Sequence, residues 1–503
     1  MPCTTLLAGK NATYDGSTLM ARNEDASSGH FTAKKFIVVN PSEQPTLYKS
    51  VISKVEIPLP SNPIRYTAVP DAVEDEGGIW GEAGINDLNI AMTATETITS
   101  NPRVLGADPL VETGIGEEDL VTIVLPYIHS AREGVIRLGS LLEQYGTYEI
   151  NGIGFQDTDE IWWLETIGGH HWIAKRVPDD SYVVMPNQQG IDFFDFADAF
   201  AEQKNHMCSA DMIEFITENH LDLTVYDEGC EVDLREETMF DVRAALGSHS
   251  DSDHVYNTPR AWYMLKCLNP NTCCWEGEGA DFTPESDDLP WSMVPEHRLT
   301  VEDFKYILSS YYQGTEYNPY SHSTDSPKQG KYRAIGINRN NFLSVTQLRP
   351  YMPEEIKAVQ WIAEGSNAFN TIVPFYTNVR TTPEYMSNTD VTPTTESFYW
   401  ANRIIGALAD AHYGNAIMHV ERYQLKTVAA AYNMLKEADK HMKELLNASS
   451  DAAPVPTEII QAQLEEYNQK MADMLKSKTY DLLNNVLYTA SSEMKNAFSR
   501  SDS

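Results

Sequence analysis

The sequence predicts a layered α+β fold that is followed by a helical C-terminal region. Three features support this prediction. Short β-like segments separated by turns open the chain, a capped helix begins near Ser130, and further short strands continue to Met185. After about Glu396 the apolar residues recur mainly at helical spacing. A strand hairpin, a helical layer and then more strands are typical of a layered α+β domain.

The first predicted element is a β-hairpin. Thr4–Ala8 and Thr18–Arg22 have the composition of strands, and a Tyr-Asp-Gly-Ser turn at residues 14–17 lies between them. Phe36–Asn40 is a third strand of the same kind. This pairing would place Cys3 at the mouth of the first strand, beside the residues that end the second.

The middle of the domain is predicted to contain a helix and three more strands. Ser130 and Glu133 have the spacing of a capping box, in which each side chain binds the other residue's backbone N–H. Apolar residues follow at helical spacing until Gly146 ends the helix. Turn signals then separate three strands, Glu160–Glu165, His171–Arg176 and Ser181–Met185.

The C-terminal part is predicted to be helical. Thr427–Leu446 and Thr457–Ala497 are the clearest segments, joined by a short connector that contains proline. We therefore divide the chain into a main domain, residues 1–395, and a helical region, residues 396–503, that packs on it. These helices could also support a homo-oligomer, since an apolar helix face must be covered by the main domain or by a second subunit.

Charge disfavours two classes of partner. The 503 residues contain 37 basic and 73 acidic side chains, a formal net charge of −36. Such a chain is repelled by phosphate backbones and by anionic lipid surfaces. We therefore expect neither a nucleic acid nor a membrane partner.

The sequence is typical of a cytoplasmic protein. No window approaches the roughly 20 apolar residues that a membrane-spanning helix needs. The first residues lack a basic segment followed by an apolar stretch, which a secretory signal would have. Six cysteines in a chain of this length do not make a disulfide framework, and five of them fit reduced thiols.

Cys3 is the cysteine with a chemical interpretation. If Met1 and Pro2 are removed, this residue carries both a thiol and a free α-amine, whose ordinary pKa values are about 8.5 and about 7.7–8.0. The amine can then take the thiol proton near neutral pH, so one residue supplies the nucleophile and the general base. The alternative is a small buried residue on an edge strand.

The end of the second strand offers the groups that such a cysteine needs. Arg22 and Asp25, within Arg-Asn-Glu-Asp, would lie beside Cys3 if the hairpin forms. A guanidinium beside a thiol lowers the pKa of the thiol, and a carboxylate can hold the α-ammonium. On its own the tetrapeptide is a weak signal, because Arg and Asp at a strand end usually form a solvated pair.

These residues resemble the opening of a known family. Cys3 followed by Leu19–Asp25 is similar to the cysteine peptidase family of dipeptidase A from lactic acid bacteria, which is related to the secernins, penicillin V acylase and bile salt hydrolase. The resemblance covers most of the first 270 residues, through the segments Gly114–Asp119, Leu125–Tyr127, Ser130–Gly134, Asp159–Thr166 and Gly169–Trp172. It implies the N-terminal-nucleophile hydrolase fold, an αββα four-layer sandwich of two antiparallel sheets between helical layers.

The acylase relatives suggest three further site residues. Asn86, in Gly-Ile-Asn-Asp before the strand Asn89–Ala94, corresponds to an oxyanion-hole asparagine, although a turn asparagine is the alternative. Asn187 corresponds to a strand-end asparagine beside the nucleophile, but Pro186 departs from the relatives' pattern. Arg260 corresponds to a second active-site arginine, which would screen the thiolate or receive a substrate carboxylate; a structural salt bridge is equally consistent.

The resemblance implies a cysteine dipeptidase that acts on small peptides without a cofactor. Cys3 attacks the carbonyl, Asn86 stabilises the oxyanion, Asp25 and Asn187 hold the amine, and Arg22 and Arg260 supply positive charge. Two alternatives stay open. One is an N-acyl amide hydrolase similar to penicillin V acylase, and the other is an inactive, secernin-like interaction protein.

Two other clusters have weaker functional interpretations. Cys267, Cys273 and Cys274 near His254 do not have the spacing of a usual zinc site, so we expect no metal. The acidic run Glu117-Glu118-Asp119 could pair with the substrate α-amine, although the sequence favours a surface role for it.

Overall fold

The structure is a computed structural model. It describes residues 3–73, 77–226, 232–321, 326–448 and 454–495, and within the strand at residues 91–97 it leaves the side chains of 95 and 96 undescribed. Met1, Pro2 and the predicted helix end at Ala497 lie outside the described residues.

The described residues form nineteen strands. In chain order they are β1 (Cys3–Ala8), β2 (Thr18–Asp25), β3 (Ile37–Val39), β4 (Leu47–Lys49), β5 (Glu56–Pro58), β6 (Tyr66–Ala68), β7 (Ala83–Ile85), β8 (Ala91–Thr97), β9 (Asn151–Gln156), β10 (Ile161–Thr166), β11 (Trp172–Arg176), β12 (Tyr182–Met185), β13 (Phe193–Phe194), β14 (His206–Cys208), β15 (Phe240–Asp241), β16 (Ser292–Met293), β17 (Asn340–Leu348), β18 (Ala358–Glu364) and β19 (Val373–Tyr376).

They also form thirteen α-helices. These are α1 (Pro102–Ala107), α2 (Leu120–Val124), α3 (Ala131–Tyr145), α4 (Phe196–Ala199), α5 (Met212–Glu218), α6 (Val242–Leu246), α7 (Asp253–Tyr256), α8 (Thr258–Leu268), α9 (Val301–Leu308), α10 (Glu384–Ser387), α11 (Phe398–Ala411), α12 (Tyr413–Asn447) and α13 (Thr457–Ser492).

The predicted hairpin lies at the centre of the first sheet. This sheet has seven strands in the order β16-β12-β1-β2-β17-β18-β19, and all neighbours are antiparallel. β1 pairs with β2 so that Cys3 faces Glu24 and Thr5 faces Arg22. Since β12 and β17 flank the hairpin, neither of its strands is an edge strand, and the prediction of a hairpin beginning at Cys3 is confirmed.

A second antiparallel sheet packs face to face on the first. Its six strands have the order β14-β11-β10-β9-β8-β7. Leu7 and Met20 of the first sheet share a core with Trp163 and Ile173 of the second. A Cβ atom on Gly154 would lie only 2.6 Å from the sulfur of Met20, so a larger residue there would require the Met20 side chain to shift.

Helices cover the outer face of each sheet. Leu6 and Leu19, which alternate with the inward-facing residues, pack with apolar side chains of α8, α9 and α12. On the other side, Ile153 and Trp162 pack with α2 and α3. The order helices, sheet, sheet, helices is the predicted α+β four-layer sandwich.

The long C-terminal helices pack on the main sheet. Phe342 of β17 and Phe375 of β19 share a core with Ala431 of α12 and with Met471 and Leu475 of α13. The contact with the main domain therefore covers part of the apolar surface of these helices. The division at residue 396 and the homo-oligomer stay predictions. No helix among the described residues is long and apolar enough to cross a membrane.

Two local predictions differ from the structure. The oxygen of Ser130 accepts from the Glu133 N–H, but the Glu133 carboxylate accepts from the N–H of His129 rather than of Ser130, so the capping box is only half formed. The strand predicted at Asn89–Ala94 begins two residues later, at Ala91, because Asn89 has a positive φ of 59° and belongs to the preceding turn.

Candidate active site

Cys3 is the first residue of the central strand β1 and is completely buried. Its N–H donates to Oδ1 of Asn187 at 3.2 Å. Asn187 lies two residues after the end of β12, the strand that pairs with β1 on the side opposite β2. The backbone nitrogen of Cys3 is therefore held by a residue that follows the neighbouring strand.

Arg22 makes the direct contact with the thiol. Its Nη2 lies 2.7 Å from Sγ of Cys3 and 2.7 Å from Oε1 of Glu117. Its Nη1 lies 2.5 Å from Oε2 of Glu82. The Arg22 guanidinium and both carboxylates are buried, so solvent screens these interactions very little. The position of Arg22 suits the stabilisation of a thiolate, because a guanidinium favours the charged form of sulfur.

The arginine belongs to a larger buried network that contains more acids than bases. Nζ of Lys34 lies 2.6 Å from Glu24 and 2.5 Å from Asp71, and also contacts Glu82. Burial raises the pKa of Glu82 well above its ordinary value, although Arg22 opposes the shift. Burial also raises the pKa of Asp71 to about 6. Protonation of such groups can offset the excess of negative charge behind Arg22.

Arg260 uses all its N–H groups to bind Cys3 and the residues around it. Its Nη1 donates to the carbonyl oxygen of Cys3 and, at 2.7 Å, to Oγ1 of Thr4. Nη2 donates to Oδ1 of Asn187 and Oδ1 of Asn257, both at 2.7 Å, and Nε donates to the Tyr256 carbonyl at 2.8 Å. Since a guanidinium has five N–H groups, none is left to bind a substrate carboxylate.

Asn187 presents an amide donor at the same place. Its Oδ1 accepts from both Cys3 and Arg260, which fixes which end of the amide faces them. Its Nδ2 is buried and has no hydrogen-bond partner among the described residues. A buried N–H group without an acceptor beside a nucleophile is the arrangement that a developing oxyanion requires.

Asn86 does not have a free donor. Its Nδ2 donates to the carbonyl oxygens of Leu125 at 3.0 Å and Ile128 at 2.9 Å. Its Oδ1 accepts from the N–H groups of Leu88 and Ile90. The structure therefore shows the turn asparagine that was the alternative interpretation, since the side chain joins the β7–β8 turn to the segment after α2. Both amide hydrogens of Asn86 are used within the fold, so the side chain has none left for the oxyanion role that was predicted for it.

Asp25 is bound by two residues that sequence reasoning did not find. Arg333 forms an ion pair with Oδ2 of Asp25, and the Nδ2 of Asn340 donates to Oδ1. Asn340 starts β17, the strand next to β2, whereas Arg333 lies in the loop before it. No local sequence pattern marks either residue. They could have been found only from knowledge that β17 lies beside β2 in the sheet.

The acidic run at residues 117–119 is buried, which corrects its predicted surface role. Glu117 binds Arg22, Glu118 accepts from Ser50 and Tyr148, and Asp119 accepts from Tyr48 at 2.6 Å. Burial and the neighbouring Glu118 raise the pKa of Asp119 to about 7.

Glu149 extends the acidic cluster beside Glu117. Its Oε1 accepts from the backbone N–H of Glu117 at 2.7 Å. Burial, together with the charge of Glu117, raises the pKa of Glu149 to about 7. Unlike Glu117, Glu149 is partly exposed.

The thiols other than Cys3 are placed differently. Cys208, Cys267, Cys273 and Cys274 are unpaired, and Cys230 lies outside the described residues. Within the described ranges no group of three or more His, Cys, Asp or Glu side chains is arranged to hold a metal ion.

Comparison with known proteins agrees with the resemblance seen in the sequence. Residues 2–426 match the family described as Peptidase family C69. A "Dipeptidase" of Bifidobacterium longum is 54% identical over 542 residues, with 100% of each chain covered. A "Probable dipeptidase A" of Streptococcus pyogenes is 50% identical over 100% of each chain, and the "Dipeptidase A" of Lactobacillus helveticus is 42% identical over 96% of each. The chain belongs to peptidase family C69.

Proposed function

We propose that the protein is a cysteine-type dipeptidase in which Cys3 is the nucleophile. The contact that carries this proposal is the one between Arg22 Nη2 and Cys3 Sγ, at 2.7 Å. It joins the attacking atom to a buried cation, while Asn187 and Arg260 hold the backbone of the same residue. The names of the most similar relatives, which are dipeptidases, agree with this activity.

The proposed reaction proceeds through a thioester. The Cys3 thiolate forms a bond to the carbonyl carbon of the scissile peptide, and Nδ2 of Asn187 donates to the resulting oxyanion. The α-ammonium of Cys3 then gives a proton to the departing amine as the C–N bond breaks. Water attacks the thioester, the α-amine takes its proton, and the acid product leaves with the thiol restored. One water is consumed and no cofactor is needed.

The α-amine of Cys3 is available only after any preceding residue has been removed. Asn187 Oδ1, which accepts the N–H of Cys3, can then accept from the ammonium. Asp25, buried at the end of β2, would supply a carboxylate for this ammonium in addition to its contacts with Arg333 and Asn340. A carboxylate near an ammonium favours its charged form, which is the proton donor in the first step.

The charge around the thiol suits a substrate with a free amine. Glu117 lies on the far side of Arg22, and the partly exposed Glu149 binds the backbone of Glu117. We propose that Glu149 pairs with the α-ammonium of the dipeptide, since its other oxygen has no partner among the described residues. An N-acyl substrate has no charge to place there.

We also propose that the protein is cytoplasmic, as the sequence predicts.

Comparison of Ala-Leu with N-acetyl-Ala-Leu on one preparation tests the proposed activity. Acetylation removes the substrate charge that pairs with Glu149, so it should lower kcat/KM by on the order of a hundredfold or more. Equal rates, or faster cleavage of the acetylated peptide or of penicillin V, would point to the acylase alternative. Absence of all cleavage by a chain that begins at Cys3 would support the inactive, secernin-like alternative.

A further inference from the structure

Arg333 is a buried cation with donors that the protein does not use. Its Nη2 forms an ion pair with Asp25, whereas its Nε and Nη1 have no hydrogen-bond partner within the described part of the chain. Its guanidinium carbon lies 4.7 Å from the centre of the Tyr256 ring. Buried guanidinium nitrogens without acceptors are rare in folded proteins, because each lost hydrogen bond to water is unfavourable.

A second arginine lies beside it. Arg339 donates from Nη2 to the hydroxyl of Tyr256 at 2.9 Å, and its buried Nε has no partner in the described ranges. Burial and, to a smaller extent, this neighbouring charge lower the pKa of Arg333 to about 9, while Cys3 raises it. Both arginines contact the same Tyr256 side chain, so their guanidinium groups lie near each other. Arg333 also contacts Asp25, which follows the residue that pairs with Cys3 in the sheet.

The local charge is not balanced by the protein. Asp25 is the only carboxylate that forms an ion pair with either arginine among the described residues, so two cations share one anion. Arg260, which lies over the same Tyr256 ring, cannot bind a further anion because all its N–H groups are engaged. A carboxylate that enters from solvent would supply both the missing charge and the missing acceptors.

We propose that Arg333 and Arg339 form the subsite that binds the α-carboxylate of the dipeptide. This inference rests on the proposed dipeptidase function and names the part of the site that recognises the leaving group. Arg339 is partly exposed and Arg333 is buried behind it, so the pair joins solvent to the interior near Cys3. Nη2 of Arg22 contacts both Glu117 and the thiol, and Glu149 binds the backbone N–H of Glu117. The proposed site would therefore have opposite charges for the two ends of a zwitterion.

The subsite is tested with Ala-Leu and Ala-Leu amide, which differ only in the C-terminal charge. Wild-type enzyme should cleave the amide on the order of a hundredfold more slowly in kcat/KM, because the charge-assisted hydrogen bonds are lost. Arg339→Met should lower kcat/KM for Ala-Leu by more than about tenfold and for the amide by much less. Arg339→Lys, which keeps the charge, should recover part of the loss. A merely structural role would affect both substrates equally.

A matched control and a clear failure complete the test. Arg380→Met removes an exposed arginine that pairs with Glu465, and it should not change the preference for the free carboxylate. Equal cleavage of Ala-Leu and its amide by the wild-type enzyme would overturn the subsite while leaving the dipeptidase proposal intact. Cleavage of neither substrate by enzyme that begins at Cys3 would overturn both. The wild-type comparison needs no variant. It therefore tests the carboxylate subsite even if an arginine substitution unfolds the chain.

Discussion

Nη2 of Arg260 donates to Oδ1 of Asn187 at 2.7 Å, and this contact decides which end of the Asn187 amide faces the nucleophile. Because Oδ1 is held by the arginine and by the N–H of Cys3, the buried Nδ2 is left to donate elsewhere. The orientation of Asn187, the proposed oxyanion donor, thus depends on Arg260.

Asn187→Ala should therefore lower kcat by about 10²–10³-fold with a smaller change in KM, because the lost hydrogen bond is strongest in the transition state. Asn86→Ala provides the comparison. It leaves the carbonyls of Leu125 and Ile128 without their donor, so it should lower the unfolding temperature while changing kcat little. Steady-state kinetics and thermal unfolding of both variants check this. A large loss of kcat only in the Asn86 variant would restore the original assignment.

The local part of the site could be predicted from the sequence. Alternating strand residues and a turn signal predicted the hairpin, and the hairpin register brings Arg22 to Cys3. The role of Asn86 could not be settled in this way, because it depends on which amide hydrogens the fold has already used. The Gly-Ile-Asn-Asp context allowed a turn asparagine as the alternative, but it did not decide between the two roles.

Residues that reach the site through tertiary packing could not be predicted from local sequence patterns. Arg333 meets Asp25 only because β17 lies next to β2, which no periodicity predicts. Glu82 and Glu117 are also buried against Arg22, although acidic residues are usually exposed. Sequence reasoning assigns a surface role to such groups by default, so functional burial of a charge is the feature that it most easily misses.

Cys3 should be the reactive thiol of the mature enzyme. Burial raises the pKa of Cys208 to about 12 and that of Cys267 to about 11, so both stay protonated and react slowly near neutral pH. Iodoacetamide should label Cys3 before Cys208 and Cys267, as peptide mass analysis over time would show. Cys3→Ala should abolish turnover without unfolding the chain, and Cys3→Ser should leave only a small residue of activity, since a hydroxyl is harder to deprotonate.

Chelators give an independent check of this thiol chemistry. EDTA should leave the rate unchanged, because the proposed steps use only protein groups and water. Strong inhibition by EDTA that added zinc reverses would transfer the chemistry to a metal and contradict the assignment of Cys3.

Active enzyme should begin at Cys3. The thiol can use its own α-amine as the base only when the Met1-Pro2 dipeptide is absent, because a peptide nitrogen does not accept a proton at neutral pH. Intact mass and N-terminal sequencing of an active preparation check this. Full activity in a preparation that retains Pro2 would rule out the amine as the base, while leaving Cys3 as the nucleophile.

Lys305 should make the free energy of unfolding increase as the pH rises above 7. It lies in α9 and is buried, and Nζ donates to Oγ of Ser309 at 2.6 Å and to the Asn367 carbonyl at 2.7 Å. It has no ion pair among the described residues, and burial lowers the pKa of Lys305 to about 7. Between pH 7 and about 10.5 the unfolded chain binds this proton while the folded chain does not, so the contribution of Lys305 to stability rises with pH.

Lys305→Met removes that proton linkage and keeps the apolar stem. The variant leaves Ser309 and Asn367 without their donor, which lowers stability by a similar amount at every pH. The free energy of unfolding of the variant, relative to wild type, should therefore be most favourable at or below pH 7. It should then fall by on the order of 3 kcal/mol as the pH rises to 10. Urea unfolding at several pH values measures this difference, with Lys440→Met as the exposed control, for which the difference should stay flat. A flat profile for Lys305→Met would show that burial does not change the pKa of Lys305. An increase of the difference with pH would show that burial raises this pKa instead of lowering it.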